Sequence, residues 1–235
     1  MPACGAGKSM ELLQARRMPT VILDRHLEGI EADEVRADSK AGAYAAVHHL
    51  TELGHKRIAI LAGPAGVSTS TDRVAGYRAA LSEACPDGDC GQILFGEFTE
   101  ASGYSMTREV LQVEPRPTAI FAANNFIAFG ALRALREAGL GIPDNMSIVV
   151  FDDLPPGWVM DPFLTVVSQP AYEIGTQAAG LLFERLAGDA PEGSRSIILP
   201  SELVIRRSTA PPRPDRLPAS RTLHELLTEH METRP

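Results

Sequence analysis

Three stretches of the chain have residue types spaced for chemistry, and each can be tested against what that chemistry needs. Gly7-Lys8-Ser9 ends like a phosphate-binding loop. That loop requires a glycine five positions before Gly7, where Pro2 stands, and a buried strand feeding it, for which six residues are too few. The triplet is therefore read as coincidence. His224-Glu225-Leu226-Leu227-Thr228-Glu229-His230 has the outline of a zinc-protease helix, but the second histidine belongs where Thr228 stands, so a short solvated helix is expected. Cys85 and Cys90 bracket Pro86-Asp87-Gly88-Asp89 and are compatible with a local disulfide or half a metal site. With no further ligands nearby, two unpaired loop thiols are the expectation. No Gly-x-Ser-x-Gly elbow or Cys/His pairing is present, so the chain is not expected to be an enzyme or to carry a cofactor or metal.

What remains is chemistry of binding. Asp152 follows the apolar run Ile148–Phe151, and Asn124 follows Thr118–Ala123. In open α/β sheets, ligand-binding residues sit at the carboxyl ends of parallel strands. A carboxylate there accepts hydrogen bonds from hydroxyls, while an amide both donates and accepts. Asn124 is equally suited to cap a following helix.

The elements that must position them follow from the hydrophobic pattern. Arg57–Ala62, Gln92–Phe95, Thr118–Ala123 and Ser147–Phe151 are short apolar runs without in/out alternation, as strands buried on both faces require. Helical stretches alternate with them, from about Thr71 to Ala84, from about Ser102, and over Ile127 to Ala138. Strand starts about thirty residues apart match a βαβ unit. Upstream, Thr20–Leu23 predicts a strand and Ser39–Leu53 a helix stopped by Gly54. Downstream, Ala171–Leu186 predicts a helix and Ser196–Arg206 extended chain broken at Pro200.

Composition narrows the function classes. The 235 residues are 44% hydrophobic and 22% charged, with a net charge of −8, and no basic stripe is available to neutralise nucleic-acid phosphates. No apolar run approaches the ~20 residues that span a bilayer. No basic stretch leads into an apolar run near the start, so a cytoplasmic, soluble protein is expected.

His49–Ala59, Gly63-Pro64 and Asp72-Arg73-Val74-Ala75-Gly76-Tyr77 resemble the effector-binding core of the lactose/galactose repressor family. Further matches follow in the family's order: Gly96-Glu97-Phe98, Ser102-Gly103-Tyr104, Pro117–Asn124, Val150–Asp153, Leu164–Pro170 and Leu203–Thr209. The ordered set covers residues 19–209. The resemblance implies an α/β protein of periplasmic-binding-protein type I, with two doubly wound parallel-sheet lobes and a ligand cleft between them. The N-terminal lobe is incomplete in this reading.

By that resemblance, residues 1–18 match nothing in the family. Residues 19–56 with 171–187 form the partial N-terminal lobe, 57–163 with 196–207 form the C-terminal lobe, and 211–235 are a flexible tail. The family's helix-turn-helix head has no counterpart in this sequence, so operator binding by this chain alone is not expected. A homodimer is implied for the full-length form.

The resemblance also implies a ligand set. Arg73, in an arginine-x-x-glycine pattern, would reach into the cleft, where its fork of donors suits vicinal oxygens. Asp152 and Asn124 would complete the polar floor, and Phe98 would cover the ligand ring. Thr69 lies four residues before Arg73 in the same loop. Gln169 stands where the chain recrosses between lobes, to touch ligand or fix the crossover. Asn125 replaces the family's usual aspartate, and Val150 a common glycine. The implied ligand is a sugar or related small molecule. Rival classes are a transport-type sugar-binding protein, disfavoured without an export signal, and a non-functional fragment with an open sheet edge.

Overall fold

The computed structural model describes residues 12–213, apart from 14, 17, 87, 89 and 155–160. The Gly7-Lys8-Ser9 triplet and the 224–230 segment lie outside the described residues. Strands are β1 (Val21–Leu23), β2 (Asp33–Ala37), β3 (Ile58–Ala62), β4 (Gly91–Phe95), β5 (Ala119–Ala122), β6 (Ser147–Phe151), β7 (Thr165–Ser168), β8 (Ser196–Leu199) and β9 (Glu202–Val204). Helices are α1 (Ser39–Glu52), α2 (Ser68–Ala84), α3 (Glu100–Val110), α4 (Asn125–Glu137) and α5 (Ala171–Ala187).

β3, β5 and β6 are buried along their whole length, which is why their sequences are continuously apolar. They lie inside a six-stranded sheet of order β4-β3-β5-β6-β7-β9, parallel except for β9, which runs antiparallel to β7. Alternate residues serve two cores. Ala59, Leu61, Ile120, Ala122, Ile148 and Val150 pack towards α3 and α4 through Met106, Val110, Ile127 and Leu135. Ile58, Ile60, Phe121, Val149 and Phe151 pack towards α1 and α2 through Val47, Leu50, Val74 and Tyr77.

The helix pair α1/α2 is closely packed because Gly76 has no side chain: a Cβ there would stand 2.2 Å from the Lys40 carbonyl oxygen. α1, α3 and α4 begin on side-chain caps. Asp38 accepts from the Ala41 N–H, Thr99 from Ser102 and Asn124 from Ile127.

A second sheet, β1-β2-β8, is parallel and three-stranded. Val35, Ala37, Val21, Ile197 and Leu199 cover one of its faces against Ile174, Ala178 and Leu181 of α5.

The structure corrects three expectations and adds one strand. α1, assigned from sequence to the smaller lobe with 19–56, lies on the large sheet, because Ala43, Ala46, Val47 and Leu50 pack with Ile58, Ile60 and Val167. The extended chain 196–207, assigned whole to the larger lobe, divides at Pro200: β8 joins β2 in the small sheet and β9 joins β7 in the large one. β2 was not foreseen, since Asp33-Glu34-Val35-Arg36-Ala37 reads as polar. Its Asp33 carboxylate is nonetheless buried, held by Arg185 Nη2 at 2.7 Å, Arg195 Nη2 at 2.9 Å and the Arg195 N–H at 2.8 Å. Cys85 and Cys90 are joined as a disulfide and are not the unpaired thiols expected, because the intervening segment brings their Cα atoms to 6.2 Å.

Candidate ligand-binding site

The carboxyl ends of β1, β3, β4, β5 and β6 converge on one cavity of about 330 Å³. The large sheet reverses its strand order between β3 and β5, the place where doubly wound sheets open a crevice. Five of the six sequence-predicted residues line this cavity: Arg73 and Thr69 from α2, Phe98 after β4, Asn124 after β5 and Asp152 after β6. Gln169 is not in the lining. It stands behind it, its Nε2 donating to Asp152 Oδ1.

Arg73 is 3% exposed and is held from two sides. Its Nη1 donates to the Ala123 carbonyl oxygen at 2.6 Å, and its guanidinium carbon lies 3.7 Å from the centre of the Phe151 ring. Its Nε is buried and meets no hydrogen-bond partner among the described residues. Burial pushes the guanidinium's pKa down, while the carboxylates of Asp152, Asp24 and Asp72 push back up. The opposite pressure acts on Asp152: burial raises its pKa, and the Arg73 charge and the Gln169 hydrogen bond oppose the rise.

The neighbouring Asp153 is engaged elsewhere. Arg206 donates to both its oxygens, Nη1 at 2.9 Å and Nη2 at 2.5 Å, and holds its carboxyl below the usual range. Of the Asp152-Asp153 pair, only Asp152 faces the cavity.

Asn124 is 8% exposed, and its Oδ1 accepts from the Ile127 N–H at 2.8 Å, so the capping role is filled. Its amide nitrogen is the group left to offer the cavity. Phe98 lies against Gly63, where a Cβ would stand 2.1 Å from the ring's Cζ. The glycine thus lets the tip of the aromatic ring approach the end of β3.

Sequence reasoning missed Asp24, Arg25, Pro64, Glu97, Thr99 and Phe126, which also line the cavity. Asp24 stands after β1 as Asp152 stands after β6, so the rule used for Asp152 would have found it. Glu97 and Thr99 flank Phe98 and were within reach of the same reasoning. Phe126 is 55% exposed, the first turn of α4 presenting it outward at the cavity rim.

A family model described as a periplasmic binding protein-like domain matches residues 47–209. The chain belongs to the periplasmic-binding-protein-like family. Within it, the chain is 34% identical over 201 residues to the HTH-type transcriptional repressor PurR of Actinobacillus pleuropneumoniae serotype 3, covering 85% of this chain and 60% of that protein. It is 36% identical over 191 residues to the repressor CytR of Escherichia coli K12, covering 81% of this chain and 56% of CytR. This periplasmic-binding-protein-like chain therefore spans about 60% of the length of the curated relatives it matches.

Among solved structures, a LacI family transcriptional regulator from Enterococcus faecium with bound ribose superposes with a TM-score of 0.78 at 33% identity, covering 90% of this chain and 78% of that one. A complex of the regulator CelR with cellobiose gives 0.76 at 32% identity, with 84% and 61% covered. These likenesses match the mixed α/β fold with parallel sheets described above.

Proposed function

We propose that this chain is the effector-binding portion of a LacI-type transcriptional regulator and that its cavity takes a sugar or a related small hydroxyl-bearing molecule. The observation that carries the reading is the buried Arg73, held between the Ala123 carbonyl and the Phe151 ring, in a cavity that Asp152 also lines. A fixed guanidinium supplies donors to ligand oxygens and a carboxylate accepts from ligand hydroxyls, so one polyol satisfies both. Charged hydrogen bonds of this kind are worth about 1.5–3 kcal/mol each, enough to reject a ligand lacking the hydroxyl. Phe98 offers its ring face to the apolar side of a sugar, adding roughly 0.5–1.5 kcal/mol.

Asp24 belongs to the small sheet and Asp152 to the large one, so a ligand that touches both ties the two sheets together. In this reading ligand binding favours a closed arrangement of the lobes. In a cytoplasmic homodimer that difference is passed on to an operator-binding head. The relatives named above are repressors, which supports regulation over a transport role.

Titration calorimetry of the chain with ribose, cellobiose and a panel of pentoses, hexoses, nucleosides and nucleobases tests the reading. Saturable one-site binding of a panel member supports it. Heat-silent titration by every member, with no shift in melting temperature, counts against it.

A further inference from the structure

At the pole of the large sheet opposite the cleft, a second cavity of about 360 Å³ opens beside the disulfide. Both cysteines line it, together with Tyr77, Arg78, Leu81 and Ile93. Cys85 caps the end of α2, its N–H donating to the Leu81 carbonyl at 2.8 Å. The carbonyl of Cys90, the residue before β4, accepts from the Ile58 N–H at 3.2 Å. The bond therefore fastens the tail of one element to the head of the next. Each of those elements leads to the ligand cavity at its other end, α2 through Thr69 and Arg73, β4 through Glu97 and Phe98.

Both cysteines are half-buried, and both line the cavity. Thiol–disulfide exchange requires a thiolate to reach a sulfur along the S–S axis, which an open flank permits and a packed core forbids. Apart from the bond itself, the described part of the connecting segment is held by one backbone contact, Gly88 N–H to the Cys85 carbonyl at 3.3 Å. Among the described residues no cluster of three or more His, Cys, Asp or Glu accompanies the pair.

We propose that Cys85 and Cys90 form a reversible thiol–disulfide exchange site, open to low-molecular-mass thiols and disulfides, whose oxidation clasps α2 to β4. In the forward step one protein thiolate attacks a sulfur of the small disulfide, forming a mixed disulfide and releasing one small thiol. The second protein thiolate then attacks the protein sulfur of that mixed disulfide, forming Cys85–Cys90 and releasing the second thiol. Two protein thiols are oxidised and one small disulfide is reduced to two thiols. The reverse sequence, driven by excess thiol, opens the clasp. The site is independent of the ligand cavity's identity.

The test is equilibration of the chain in buffers of reduced and oxidised glutathione, with thiol counting and a melting curve at each ratio. The chain has three cysteines, so the Cys4→Ser chain isolates the pair. Its free-thiol count is expected to move reversibly between two and none in one step. The melting temperature should rise with oxidation by about 4–8 °C, the effect of closing a short loop in a chain of this size. The Cys85→Ser/Cys90→Ser variant is expected to melt at the reduced value in every buffer. A count that stays at two in the most oxidising buffer, or at none in the most reducing one, overturns the proposal. So does a count that changes while the melting temperature does not.

Discussion

Asp24 and Asp152 are the two non-glycine residues with positive φ among the described residues, at 66° and 74°, and both line the same cavity. Each follows a parallel strand, β1 in the small sheet and β6 in the large one. Aspartate tolerates the left-handed region better than most residues, and such conformations gather where a side chain must be aimed. The Asp24 carboxylate also raises the pKa of Asp152, so the two walls of the cleft present like charge. A ligand that donates hydroxyls to both relieves that opposition.

Replacing Asp152 by Asn tests this relation, since Asn keeps the backbone preference and removes the charge. Ligand affinity is expected to fall by about 10–150-fold, the loss of one charged hydrogen bond. The ligand-free melting temperature should change little, because burial already disfavours the ionised carboxylate. Calorimetry and a melting curve on the same variant check both halves.

The pH dependence of binding has a definite sign. Burial raises the Asp152 pKa above its ordinary 3.8, so the carboxylate that accepts ligand hydroxyls is lost at a higher pH than an exposed aspartate would be. Affinity is therefore expected to hold at neutral pH and to fall on acidification before ordinary aspartates titrate. In the Asp152→Asn chain this early loss should be absent, as affinity measured across the same pH series would reveal.

Asp33 predicts a stability effect away from the cleft. Burial pushes its carboxyl up, but hydrogen bonds from Arg185 and Arg195 outweigh that and hold it well below the usual range. A depressed pKa stabilises the fold fully above the unfolded value of 3.8, and the contribution is lost as pH falls towards the folded value. Asp33→Ala removes charged hydrogen bonds from two partly exposed guanidiniums and should cost about 1.5–3 kcal/mol at neutral pH. Urea unfolding at neutral pH measures it, and the difference from the unmodified chain should shrink in acid.

Gly63→Ala probes how Phe98 is seated. The added Cβ would overlap the ring at 2.1 Å, so the ring must move off the end of β3. Overpacking of this kind costs about 1–3 kcal/mol. If Phe98 stacks on the ligand, affinity should fall as well. The Phe98→Leu chain then provides the comparison, showing the same loss of affinity without the overlap.

The large sheet was legible because its strands are buried on both faces, and such burial writes itself as unbroken apolar runs: Ile58–Ala62 and Ser147–Phe151 are each buried throughout. β2 was illegible because its charges are satisfied by residues more than 150 positions away, Asp33 by Arg185 and Arg195. α1 looked like part of the first lobe from its place in the chain. Only the packing of Val47 and Leu50 against Phe151 and Val167 assigns it to the other. In the cavity, Arg73, Asp152 and Phe98 came from the resemblance, with Asp152 also marked by its position after a strand. Asp24 was within reach of the strand-end rule, since it follows the predicted strand Thr20–Leu23, whereas Phe126 sits in the first turn of α4, where an exposed aromatic has no periodic signature.

The proposed role of Arg73 is that of a ligand-binding donor, beyond that of a buried structural cation. Thermal stabilisation by a saturating panel ligand, measured on the unmodified chain and on Arg73→Lys, tests it most directly. Lysine keeps the charge near Phe151 and the carboxylates but lacks the planar fork. At about a hundredfold the dissociation constant, the unmodified chain should gain about 5–11 °C. The variant should gain almost nothing while its ligand-free melting temperature stays within a few degrees. Equal ligand-induced stabilisation in the two chains would leave Arg73 a structural cation only.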